Sequence, residues 1–141
     1  MVIPFDKLKI FKVKKWTADG NSGTWLPEHE PDPLKNLEET ENLNVADIVT
    51  SAFRFEIKGF QSKHMIMFDV DVPMQVIESS TPGHYHVYFP GSYVPKEKLF
   101  NLLDAMAECG IVERGYAEAS RARGFAALRL PWIHRDRGRH H

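Results

Sequence analysis

Residues 64–90, HMIMFDVDVPMQVIESSTPGHYHVYFP, limit the possible folds more than any other part of the chain. Pro73 separates two apolar runs, and a third follows Thr81, Pro82 and Gly83. That triplet is turn chemistry, because proline holds φ at about −65° while glycine tolerates positive φ. MQVIESS and HYHVYF therefore read as an antiparallel hairpin. HMIMFDVDV, apolar on both faces until its aspartates, reads as a central strand beside it.

The flanking segments extend this pattern. KLKIFKVKKW alternates Leu8, Ile10 and Val13 with lysines, as a half-buried strand with one slip would. TADGNSGTWLPEHEPDP is dense in Gly, Pro and Asn and reads as a loop. Leu34 to Leu43 is helix-compatible but acidic, and NLNVADIVTSAF offers Asn44 as the N-cap of a short helix. AFRFEIKG alternates Phe53, Phe55 and Ile57 with charges, a strand ended by Gly59. Pro95 opens a helix whose apolar residues are Leu99, Leu102, Leu103 and Met106, and Gly110 stops it. IVERGYAEAS and GFAALRLPW pair as a hairpin, although the alanines also permit a helix in the first half. The expectation is an α+β fold, a mostly antiparallel sheet with helices packed on one side. A chain of 141 residues suits a single domain. Within it, residues 1–51 form an N-terminal strand, acidic loop and helix, 52–135 the core, and 134–141 a basic tail.

Hydrophobic residues at 43% and charged residues at 26% are those of an ordinary globular protein, and no apolar run approaches the roughly 20 residues of a membrane helix. Cys109 is the single cysteine, so an internal disulfide is excluded. MVIPFDKLKI has neither the basic segment nor the apolar core of a secretory signal, and the expected location is cytoplasmic, with no membrane partner. The net charge of −1 hides a segregation. Lys7, Lys9, Lys12, Lys14 and Lys15 crowd the start, seven of eight arginines lie in residues 114–139, and residues 28–47 carry seven acids against Lys35. Basic ends that converged would attract phosphate.

Side chains at i and i+2 of a strand share a face, so Asp69 and Asp71 would project together, about 6 to 7 Å apart at the backbone. Like charges so close repel unless a cation lies between them, and Mg²⁺ and Mn²⁺ take carboxylate oxygens. His84 and His86 share a face by the same rule, and the hairpin would bring them beside the aspartates. The plainer alternative for each pair is an exposed strand end that holds no ligand.

The order hydrophobic-D-x-D, strand, Ser/Thr-Pro-Gly turn, histidine and apolar strand, over roughly residues 52–135, resembles the archaeo-eukaryotic primase superfamily, in particular the small primase domains of plasmids and phages. The resemblance implies an RRM-like core and a set of roles. Asp69 and Asp71 would be catalytic metal ligands, and His86, with Ser80 and His84 nearby, would contact nucleotide phosphates. LRLPW is similar to a Leu-Arg-x-Pro element of the family, which makes Arg129 a phosphate contact. A third acid should follow the helix: Glu113 fits that place best and Glu118 second. His84 stands where the family usually carries a small hydroxyl residue.

The implied activity is Mg- or Mn-dependent nucleotidyl transfer in phage or plasmid DNA replication. Its partners would be a DNA or RNA template, nucleoside triphosphates and a helicase or replication initiator. A rival reading keeps the fold as an inactive nucleic-acid-binding module that uses Arg121, Arg123, Arg135 and Arg137, with Trp16, Trp25 or Trp132 as stacking surfaces. A third takes the histidine pair as iron, zinc or manganese ligands in a small β-barrel enzyme.

Overall fold

The computed structural model describes residues 2–14, 34–55 and 63–133. These form an α+β chain of small antiparallel sheets and two helices. Backbone contacts divide it into two units, Met1–Phe68 and Asp69–His141.

The first unit is a three-stranded sheet of β1 (Leu8–Val13), β2 (Leu37–Thr40) and β3 (Ile48–Phe53), with β1 in the middle and antiparallel to both neighbours. Leu8, Ile10 and Val13 are its buried residues. Spaced by two and then three, they reproduce the slip in the alternation. Segment 34–43, read as helix-compatible, instead supplies β2, which sets Glu38 opposite Lys12. Opposite charges across a ladder stabilise the pair, whereas clustered acids repel along a helix. The basic N-terminal segment is thus matched to an acidic strand.

The short helix expected from Asn44 is also replaced. The Asn44 N–H donates to Asn42 Oδ1 and the Val45 N–H to the Asn42 carbonyl, so the asparagines build a turn rather than a cap. The β-branched residues Ile48, Val49 and Thr50 then enter β3. Asp47 locks the crossing: its Oδ2 accepts from the Val13 N–H at 2.7 Å, and its own N–H donates to the Phe11 carbonyl at 2.8 Å. The strand expected over 52–59 ends at Phe53, and residues 56–62 lie outside the described residues, as do the loop of residues 17–33 and the tail.

The larger correction concerns residues 64–72, which do not form a central strand. His64 bridges Ala52, and the Met65 N–H donates to the Ser51 carbonyl, but the ladder goes no further. A run that is apolar on both faces needs cover on both sides as well as paired edges. Phe68 is 71% exposed, and the boundary between the two units falls directly after it. Two small sheets therefore stand where one was expected.

The second unit contains a two-stranded sheet, β4 (Gln75–Glu78) antiparallel to β5 (Tyr85–Tyr88), followed by α1 (Lys96–Glu108) and α2 (Arg114–Arg123). Thr81 to His84 is the hairpin turn, with the His84 N–H bonded to the Thr81 carbonyl and Gly83 at φ 79°. Proline second and positive-φ glycine third are the marks of a type II turn. The α1 terminus matches the expected glycine stop: Gly110 has φ 79°, its N–H donates to the Ala107 carbonyl, and the Ile111 N–H reaches the Met106 carbonyl.

Segment 114–123 forms the helix that its alanines permit, not half of a hairpin. Phe100 and Leu103 of α1 are buried, as are Ala117 and Ser120 of α2, whose small side chains let the two helices approach. Leu102, expected on the apolar face, is exposed, and Phe100 lies on the buried face instead. Arg121 clamps the pair. Its guanidinium donates to Asp104 Oδ2 at 2.7 Å, Glu97 Oε2 at 3.1 Å and Asn101 Oδ1 at 3.2 Å, and lies 5.4 Å from the Phe100 ring centre. Among the described residues, no helix is long and apolar enough to cross a membrane.

Two outcomes test this packing. Arg121→Ala should lower the thermal midpoint of the helix pair, measured by circular dichroism, by more than Arg123→Ala, because only the first breaks the α1 contacts. Burial pushes the Tyr116 hydroxyl above its ordinary value of 10.0, partly offset by Arg123 and by the Ser120 hydroxyl, with Tyr88 adding to the rise. The stability this burial contributes is complete below pH 10.0 and is lost as pH rises through the raised folded value. Denaturant midpoints should accordingly fall less steeply with alkaline pH in Tyr116→Phe than in wild type.

Candidate functional site

The register of the hairpin decides which side chains can meet. Ile77 pairs with His86 and Gln75 with Tyr88, so these four share one face, while Val76, Val87, Glu78 and Tyr85 belong to the other. His86, Tyr88 and Ile77 are half-buried, whereas all four residues of the second face are exposed. Tyr88 lies near enough to Tyr116 to affect its ionisation, which relates the His86 face to α2.

A notch of about 40 Å³ opens on that side of the hairpin, lined by Glu78, Ser79, Ser80, His86, Arg129, Leu130, Pro131 and Ile133. Three residues named from the sequence, Ser80, His86 and Arg129, thus come together, although Arg129 follows His86 by two helices. Ser79, a neighbouring hydroxyl residue not singled out from the sequence, joins them. Its Oγ accepts from the Thr81 N–H at 3.0 Å, the local bond of a serine turn, which sets the corner beside Ser80. A guanidinium, an imidazole and two hydroxyls suit an anion with several oxygens; Glu78 borders the notch from the end of β4, although its strand position belongs to the other face.

His84 has a different place. Its N–H closes the turn and its carbonyl accepts from the Ser79 N–H at 2.9 Å, while its side chain is exposed and does not line the notch. The backbone of His84 therefore sets the register that orients His86.

The candidate acids lie outside the lining of the notch. Asp69 and Asp71 are exposed in an irregular stretch before β4 and do not line the notch. Without a paired strand, no pleat holds them to one face. Glu113 is the N-cap residue of α2, and its side chain makes no capping bond; Glu118 is exposed within that helix. Among the described residues, no group of three or more His, Cys, Asp or Glu side chains is gathered for a metal. The aspartates do fit by donor chemistry, because Mg²⁺ on a nucleotide uses one or two carboxylates with phosphate and water completing its shell.

The proposed nucleic-acid contacts also divide. Arg121 is committed to α1, whereas Arg123 is exposed, with its guanidinium 5.9 Å from the Phe125 ring centre. Arg135, Arg137, Trp16 and Trp25 lie outside the described residues. His64, the remaining histidine of the opening stretch, is hydrogen-bonded through Nδ1 to Ser51 Oγ at 2.8 Å across the bridge to β3. No protein-family model, curated protein or solved structure matches this chain.

Proposed function

We propose that this chain is a primase-like nucleotidyl transferase of a phage or plasmid replication system, acting on nucleoside triphosphates and a nucleic-acid template. The observation that carries the reading is the notch, whose lining combines Arg129 with His86 and Ser80 across a long sequence separation. Its donors suit the polyphosphate that such an enzyme must hold. In this reading Arg129 binds phosphate oxygens as a fork of N–H donors, His86 fixes their position from the hairpin, and Ser80 donates from the corner. Positioning and charge neutralisation carry most of the rate in phosphoryl chemistry, so none of the three needs to act as a base. Asp69 and Asp71 would hold a Mg or Mn ion, which when bound activates the attacking hydroxyl and stabilises the leaving pyrophosphate.

A second reading, a nucleic-acid-binding module that shares the fold without the chemistry, draws on a specific observation: neither aspartate lines the notch. The two readings diverge under mutation. With Mg or Mn, a template and labelled triphosphates, wild type should extend a primer, and Asp69→Ala/Asp71→Ala should lose roughly 100-fold or more while keeping the same thermal midpoint. Equal rates in both proteins would remove the enzymatic reading. Arg129→Ala should weaken triphosphate binding, measured by calorimetry, by roughly tenfold or more, as expected for a lost charged hydrogen bond.

A further inference from the structure

The notch is too small for a nucleotide. At about 40 Å³ it has room for about three waters, enough for a phosphate group and not for a phosphate, sugar and base together. Whatever is joined to the phosphate must therefore lie outside it, against the rim.

One exposed tryptophan is flanked in sequence by two residues of the notch wall. Pro131 and Ile133 are in its wall, and Trp132 between them is 63% exposed. A turn holds the tryptophan there: the Ile133 N–H donates to the Leu130 carbonyl at 3.0 Å, with Pro131 second and Trp132 third among its four residues. Proline at the second position restricts the backbone that carries the indole. An indole is ordinarily among the largest contributors of buried area, and one left open next to a notch that holds an arginine offers a surface for stacking.

We infer that Trp132 is the base-stacking platform of this site, so that the ligand is a nucleotide held by its phosphate in the notch and by its base on the indole. This rests on the phosphate-binding reading of Arg129 and His86 and adds the element that separates a nucleotide from a bare polyphosphate. The stacked contact tolerates any base, because every base presents a π face. Preference among bases must then come from a template, as a templated enzyme requires.

The test uses the full chain with its other two tryptophans replaced, Trp16→Phe and Trp25→Phe, so that emission reports on Trp132 alone. ATP should quench this emission and, by calorimetry, bind roughly tenfold more tightly than inorganic tripolyphosphate. The four common nucleoside triphosphates should bind within a few-fold of one another. Trp132→Phe should keep most of the ATP preference, and Trp132→Ala should reduce ATP affinity to that of tripolyphosphate. If Trp132→Ala binds ATP as tightly as wild type while Arg129→Ala does not, stacking is overturned and the phosphate notch stands. If neither ATP nor tripolyphosphate binds wild type, both readings fall together.

Discussion

The hydrogen bond from the His84 N–H to the Thr81 carbonyl closes the turn that sets β4 against β5, and the candidate site depends on that register. Side chains alternate along a strand, so a slip of one residue would exchange His86 for Val87 on the inner face. The imidazole would then leave the side that faces Arg129. Pro82 and Gly83 make the slip costly, since each supplies a backbone angle that the turn needs and few other residues adopt easily. The position of one functional side chain is thus secured by backbone chemistry a few residues away.

The helix pair illustrates a different dependence. Phe100 and Leu103 find cover in Ala117 and Ser120, and Arg121 closes the open side with three hydrogen bonds to α1. Ser120 Oγ is buried without a hydrogen bond of good geometry, close to the Tyr116 hydroxyl that it influences. Two helices of 13 and 10 residues are short for independent stability in water, so the contact between them is what keeps each one helical. The segment carrying Arg129 and Trp132 leaves from the end of α2, where Gly124 at φ 89° turns the chain out of the helix.

Much of the local structure was legible. Period-two alternation located β1 and the β4–β5 hairpin, the Pro-Gly pair located its turn, and Gly110 located the end of α1, because each of these signals acts over a few residues. The misread segments fail for reasons of partner choice. Residues 34–43 satisfy helix spacing as well as strand pairing, and the lysines of β1 decide in favour of the strand. Residues 64–72 have the composition of a central strand without the neighbours that would make them one. For the site, Ser80, His86 and Arg129 were named from a motif order and line one notch, while Ser79, one of three successive hydroxyl residues before the turn, was not singled out because local spacing does not say which of them faces the site. Arg121 looked available because an arginine's partners on another helix leave no trace in local spacing.

The sequence by itself determined which short segments turn, alternate or end, along with a chemical inventory in which carboxylates, histidines and arginines are set well apart. Only the tertiary structure decided how that inventory is used. It tied Arg121 to α1, set Arg129 and His86 in the lining of one notch, left Asp69 and Asp71 outside that lining and left Trp132 exposed between two of its wall residues in sequence. The physical reason is range. Turn and alternation preferences are properties of neighbouring residues, whereas the gathering of Arg129 and His86 around one notch depends on the path of two helices and a turn between them, which no local pattern records.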